Sequence, residues 1–263
     1  MPYRANPFIT GLLLLVPAGF LLFSGCKVQD YNSDSQPVDH RLWDSLLQAH
    51  VSGAGWVDYP GFIQDSVRLN EYLTLLKNNH PNKKNWDRNE RMAYWINAYN
   101  AFTVKLIVDH YPVQSIKDIK NGIPFVNTVW DIKFIEIEEA VYDLNNIEHG
   151  ILRPKFQDPR IHFAVNCASV SCPKLWNRAY TAEGLDEQLD RAARDFLRDE
   201  RRNVIAEDRV QLSKIFSWYG MDFKKKGKKL IEYLNQYSPV QIQPDVEVDY
   251  LEYNWNLNEE ENA

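Results

Sequence analysis

Between Asn89 and His110 the chain places apolar or aromatic residues on nearly every side of a helical wheel, from Met92-Ala-Tyr-Trp-Ile96 to Leu106-Ile-Val108. A helix that is apolar all round belongs inside a core, so the remaining elements must be arranged around this one. Pro112 ends it. Two shorter amphipathic helices precede it, over His40–His50 and Asp65–Leu76, with a turn-rich loop at Val51–Gly61 between them.

Downstream the pattern is mixed. Segments 125–129 and 132–137 alternate and are rich in Val, Ile and Phe, which predicts paired strands. Asp143 is placed to cap a helix running through Arg153, with Pro154 as its stop. Arg160–Cys167 is apolar and β-prone and reads as a buried strand. Ala182–Asp199 reads as an amphipathic helix capped by Thr181. A strand at 209–213, a short helix near 214–222, a helix at 227–237 and a closing strand in the alternating tail 246–257 complete the pass. Helices mixed with strands in no repeating order predict an α+β fold: a single helix-rich domain (39–263) with a small mixed or antiparallel sheet.

The N-terminus carries a separate signal. Arg4 precedes the apolar run Gly11–Phe23, which Pro17 and Gly19 interrupt and which is too short for a spanning helix of ~20 residues. A basic start, a short apolar core and the small-residue ending Ser24-Gly25-Cys26 predict a signal peptide over 1–25, with Cys26 as the lipidated residue of an envelope lipoprotein. The polar stretch 26–38 is expected to be a flexible tether. Lipid on Cys26 would make the membrane a partner, at the periplasmic or surface face. A formal net charge of −6 argues against nucleic acid. The basic run Lys224–Lys229 is read as a solvated helix start.

Three segments are unusual for pure packing. Asn97 and Asn100 lie at i and i+3 on one face of the central helix. Buried there, they either tie neighbouring backbone or orient an imidazole or substrate carbonyl. Glu148 and His149 are adjacent, so they cannot face each other on a helix; Glu148 would pair with a cation such as Arg153 or Arg160, and His149 could point into a cleft. The third segment, Asp158–Pro173, carries His162, Cys167 and Cys172. Outside the cytoplasm an isolated cysteine pair invites a disulfide. A free Cys167 thiolate with an imidazole from another element would instead suit nucleophilic catalysis. The six histidines show no i, i+4 metal pattern and no Cys-x-x-Cys accompanies them, so neither zinc nor another cofactor is expected.

The same boxes, Tyr94–Asn100, Leu144–Arg153 and Asp158–Pro173, followed by Tyr180-Thr-Ala-Glu and Leu212–Tyr219, resemble the DUF547 family of uncharacterised domains over roughly 85–225. The resemblance implies a shared pocket and no particular reaction. The leading expectation is a thiol-dependent hydrolase or transferase on peptide or acyl substrates. In it Cys167 is the nucleophile, His149 or secondly His162 the base, Asn97 or Asn100 an orienting or oxyanion group, and Glu148 a supporting carboxylate. The rival is a non-catalytic, disulfide-stapled binding or assembly lipoprotein. A thiol-redox role comes third, because C-x4-C is not the usual oxidoreductase spacing. A Cys167–Cys172 bond would remove the nucleophile.

Overall fold

The computed structural model describes residue 28 and residues 31–120, 128–224, 227 and 229–262. Residues 1–25, where a signal peptide is expected, and Cys26 lie outside them. Among the described residues no helix is long and apolar enough to cross a membrane.

The fold is α+β, built from helices and two small sheets. Helices α2 (Tyr59–Gln64) and α3 (Ser66–Lys77) pack on α4 (Arg88–His110), and α1 (Arg41–His50) packs on α2 and α3. As its sequence requires, α4 is buried from Met92 through Val104 and again at Leu106 and Ile107. A capping box starts it: Glu90 N donates to Asp87 Oδ1 at 2.8 Å, and Asp87 N donates to Glu90 Oε2 at 2.6 Å. The loop after α1 is shorter than its composition suggests. Asp58 accepts from Gly61 N and Pro60 lies in the first turn, so α2 begins inside it.

Strand β1 (Ile135–Ile137) pairs antiparallel with β2 (Ala140–Tyr142), with Ile135 opposite Tyr142. The partner of the expected strand 132–137 is therefore the segment just after it. Val129–Asp131 forms a 3-10 turn, and 125–127 lie outside the described residues. A second sheet is mixed: β3 (Val204–Ile205) runs antiparallel to β4 (Val210–Leu212), which runs parallel to β5 (Val248–Tyr250). In sequence α5 (Leu185–Arg198) comes between the two sheets, and α6 (Ile215–Trp218), α7 (Gly220–Phe223) and α8 (Leu230–Leu234) come between β4 and β5. Of the basic run, the lysines at 225, 226 and 228 lie outside the described residues.

Two expectations about the middle of the chain need correction. The helix expected from Asp143 is a wide π-type helix over Asn146–Phe156, with Pro154 inside it; Asp143 Oδ1 accepts from Asn146 N at 2.5 Å. Pro154 has no N–H to give to the helix, and the wider π-type turn departs from the α-helical register in which its ring would meet the i−4 carbonyl. Arg160–Cys167 is not a strand. Asp158 accepts from Arg160 N and Pro159 occupies the first turn, so Pro159–Phe163 winds as a 3-10 helix and the alternation of faces assumed for a strand is lost.

The expected tether is also partly fixed. Ser33 Oγ donates to Glu138 Oε1 at 2.7 Å, Ser35 Oγ to the His80 carbonyl at 2.6 Å, and Trp86 Nε1 to the Ser35 carbonyl at 3.0 Å. Hydrogen bonds from small polar side chains hold 31–38 to the domain where apolar periodicity is lacking.

Candidate functional site

Apolar packing forms two clusters. One surrounds α4; the other joins Phe163 to α5, β4, α6 and α8. A cleft of about 270 Å³ is lined from both, by Tyr99 and Val165 of the first and Ile215, Tyr219 and Tyr253 of or against the second. The segment 164–173 runs along its base.

That segment is held by backbone clamps. Asn100 Nδ2 donates to the Ala164 carbonyl at 2.9 Å, and Asn166 N donates to Asn100 Oδ1 at 2.9 Å. Asn97 does the same at Tyr180, donating to its carbonyl at 2.8 Å and accepting from its N–H at 3.0 Å. Asn166 ties the loop to itself, donating to the Pro173 carbonyl at 2.7 Å and accepting from Ala168 N at 2.8 Å. Buried Arg202 donates to the Cys172 and Val170 carbonyls. The C-terminal tail crosses outside, taking bonds from Val170 N and Ser171 N at the carbonyls of Asn256 and Asn254.

Within the loop Cys167 and Cys172 are joined by a disulfide. The nucleophile assigned to Cys167 is therefore absent in this state, and the short loop between the two cysteines supplies the reason: its clamps bring the two side chains together. Asn97 and Asn100 take the first of their two expected roles: each buried amide ties backbone, one bond from each end, and neither lines the cleft.

His149, His162 and Glu148 all line the same cleft as Cys167. The sequence boxes therefore do meet in space, although no hydrogen bond links either imidazole to the Cys167 sulfur, whose polar neighbours are Ser169 Oγ and Tyr253 OH, each at 3.4 Å. His162 is buried; its Nε2 lies 2.9 Å from Asp222 Oδ2, its Nδ1 3.6 Å from Glu148 Oε1, and its ring stacks on Tyr219 with centroids 4.0 Å apart. Arg153 Nε donates to the same Asp222 oxygen at 2.6 Å. The Glu148–cation pairing expected with Arg153 or Arg160 is thus replaced: Arg153 goes to Asp222, and Arg160 to Asp158, Asp186 and Asp190.

The electrostatics follow from these contacts. Burial by itself would raise the Glu148 pKa, but the His162 contact, the neighbouring imidazoles and the Tyr219 hydroxyl outweigh it and hold it below the ordinary carboxylate value. Asp222 is likewise held low against burial by His162 and Arg153. At the exposed rim, Arg153 Nη1 lies 3.1 Å from His149 Nδ1. A guanidinium only donates, so Nδ1 accepts and the ring is neutral. Desolvation, with Arg153 adding to it, lowers the His149 pKa to match.

The opposite wall was missed by sequence reasoning. Trp130, Trp218, Tyr253 and Trp255 form a continuous aromatic surface, with centroid spacings of 4.5 Å for Tyr253–Trp255, 4.8 Å for Trp218–Tyr253 and 5.7 Å for Trp130–Trp255. Trp218 is 48% exposed. The aromatic spacing of the tail and the Ser-Trp-Tyr end of the 212–219 box were the available signals; Asp222 had none. Among the described residues no group of three or more His, Cys, Asp or Glu is placed to hold a metal.

These features define an α+β domain with an aromatic cleft closed at its base by a cystine loop. Residues 83–197 match the family model described as a protein of unknown function, DUF547, which supports the family resemblance across the central helix, the π-type helix and the cystine loop. No curated protein and no solved structure matches the chain.

Proposed function

We propose that this protein is an envelope lipoprotein, anchored through Cys26, whose cleft takes up a ligand and releases it unchanged. The observation that carries the reading is the half-exposed Trp218 in a wall of aromatic rings facing a cystine, in a cleft that otherwise offers few unspent polar groups. Apolar clefts with a few convergent polar groups are where small ligands bind. At about 270 Å³ the cleft is smaller than the ~300–1,000 Å³ of pockets for drug-sized molecules, so it suits one aromatic ring or a short acyl group of a peptide or acyl partner. With Cys167 bonded, the hydrolase or transferase mechanism has no nucleophile.

Titrating the mature protein with N-acetylphenylalaninamide tests this through tryptophan fluorescence. Saturable quenching or a blue shift is expected, weakened at least about ten-fold in Trp218→Ala, in line with a single interface aromatic worth more than ~1 kcal/mol. An unaltered spectrum at millimolar ligand, or equal affinity in the variant, would contradict the reading.

A further inference from the structure

We infer that the Cys167–Cys172 cystine captures a thiol, the incoming thiolate of an aromatic or short apolar thiol bonding to Cys167 while Cys172 leaves. This rests on the ligand-binding reading above and names the ligand's class.

The two sulfurs are not equivalent. Both border the cleft, but Cys172 is 2% exposed whereas Cys167 is only partly buried, so an approaching thiolate reaches Cys167. The hydrogen-bond donors are arranged the other way round. Cys167 N–H donates to Cys172 Sγ at 2.9 Å, and Tyr253 OH, which lies 3.4 Å from Cys167 Sγ, donates to Cys172 Sγ at 3.3 Å. Ser169 Oγ in turn donates to Tyr253 OH at 3.2 Å, so the phenol keeps its own proton for the sulfur. Burial pushes the Tyr253 pKa up to about 12, so that proton stays in place at neutral pH. A sulfur in a disulfide is a weak acceptor with little use for two donors. A thiolate uses both, and donors aimed at the charge that develops on a leaving group lower its pKa and speed its departure.

The exchange balances without an outside oxidant or reductant. The thiol loses its proton to solvent, its sulfur forms a bond to Cys167 Sγ, the Cys167–Cys172 bond breaks, and its electron pair leaves on Cys172 Sγ as a thiolate. Return attack by that thiolate on Cys167 Sγ re-forms the cystine and frees the ligand, so capture is reversible. The aromatic wall selects thiols whose bound group fills the cleft, and the donors select which cysteine is released.

Mature protein in detergent, mixed with benzyl mercaptan or with glutathione at equal thiolate concentration and then acid-quenched, tests this by mass mapping. The expected result is a benzylthio adduct on Cys167, formed more than about ten-fold faster than the glutathione adduct, with Cys172 free. Tyr253→Phe should keep the disulfide and slow the reaction about five-fold, the effect of one ordinary hydrogen bond. An adduct on Cys172, or none on either cysteine, would overturn the inference, and the wild-type mapping decides this whatever the variant does. Benzyl alcohol, the oxygen analogue, separates the two readings. If it binds while no adduct forms, capture fails and the cleft reading stands; if it does not bind and the two thiols react equally, the cleft reading fails as well.

Discussion

Asn100 and Asn166 are joined so that the central helix fixes the backbone one residue before Cys167: Asn166 N donates to Asn100 Oδ1 at 2.9 Å, while the Asn100 amide donates to the Ala164 carbonyl at 2.9 Å. Both bonds are buried. Asn100→Ala should therefore cost about 2–4 kcal/mol, two hydrogen bonds with the stranded backbone groups left unsatisfied. Urea unfolding checks it, and amide exchange should quicken at 164–167. A loss under about 0.5 kcal/mol, the surface range, would mean the clamp is absent.

Leu106 tests the burial of α4 independently of any site. It is 3% exposed, so Leu106→Ala should destabilise the protein by about 2–5 kcal/mol, measured as a shift in the urea midpoint at constant slope.

Asp222 Oδ2 accepts from Arg153 Nε at 2.6 Å and lies 2.9 Å from His162 Nε2. Removing it in Asp222→Ala leaves the partly buried guanidinium without its carboxylate and the buried imidazole Nε2 without its hydrogen-bond partner, and the expected loss is about 3–5 kcal/mol. The sign with pH is fixed by its lowered pKa. The stability that Asp222 contributes is complete above the ordinary value of 3.8 and is lost as the pH falls below it toward the lower folded value, so the gap between wild type and variant should narrow in acid.

His40 follows the same linkage from a different cause. Burial pushes its pKa down to about 4 from 6.5, and its Nδ1 lies 2.8 Å from the Tyr72 hydroxyl. The unfolded chain takes up the proton first, so stability should fall as the pH drops from 6.5 to about 4 and level off below. One pKa unit is ~1.36 kcal/mol, which bounds the effect at about 3 kcal/mol. Urea midpoints at pH 7.5 and 5.0 should differ less in His40→Asn than in wild type.

How much of this was legible in the sequence depended on whether the signal was periodic. Helix α4 announces itself because Met92 to Ile107 is apolar on all faces, and α3 and α5 because their buried residues recur at helical spacing. Arg160–Cys167 misled because β-prone composition was weighed above the Asp158-Pro159 start, and the cap decided the backbone. The site was half legible. His149, His162, Glu148 and Cys167 do share a cleft, since buried polar residues on separate elements had to find one another. The state of Cys167 was left open between thiol and cystine, because spacing alone does not say whether two side chains converge. The Asn97 and Asn100 roles turned on which backbone lay opposite, and Asp222 and the Trp218–Trp255 stack depend on long-range packing that no local pattern records.

The central claim is that the cleft carries a cystine and not a nucleophile. Counting thiols on the Cys26→Ser protein, purified without reductant, tests it most directly. No titratable thiol is expected, native or in denaturant, with two appearing only after reduction. Two free thiols before reduction, with His149→Ala changing the reactivity of one of them, would contradict the binding account and restore Cys167 as a nucleophile.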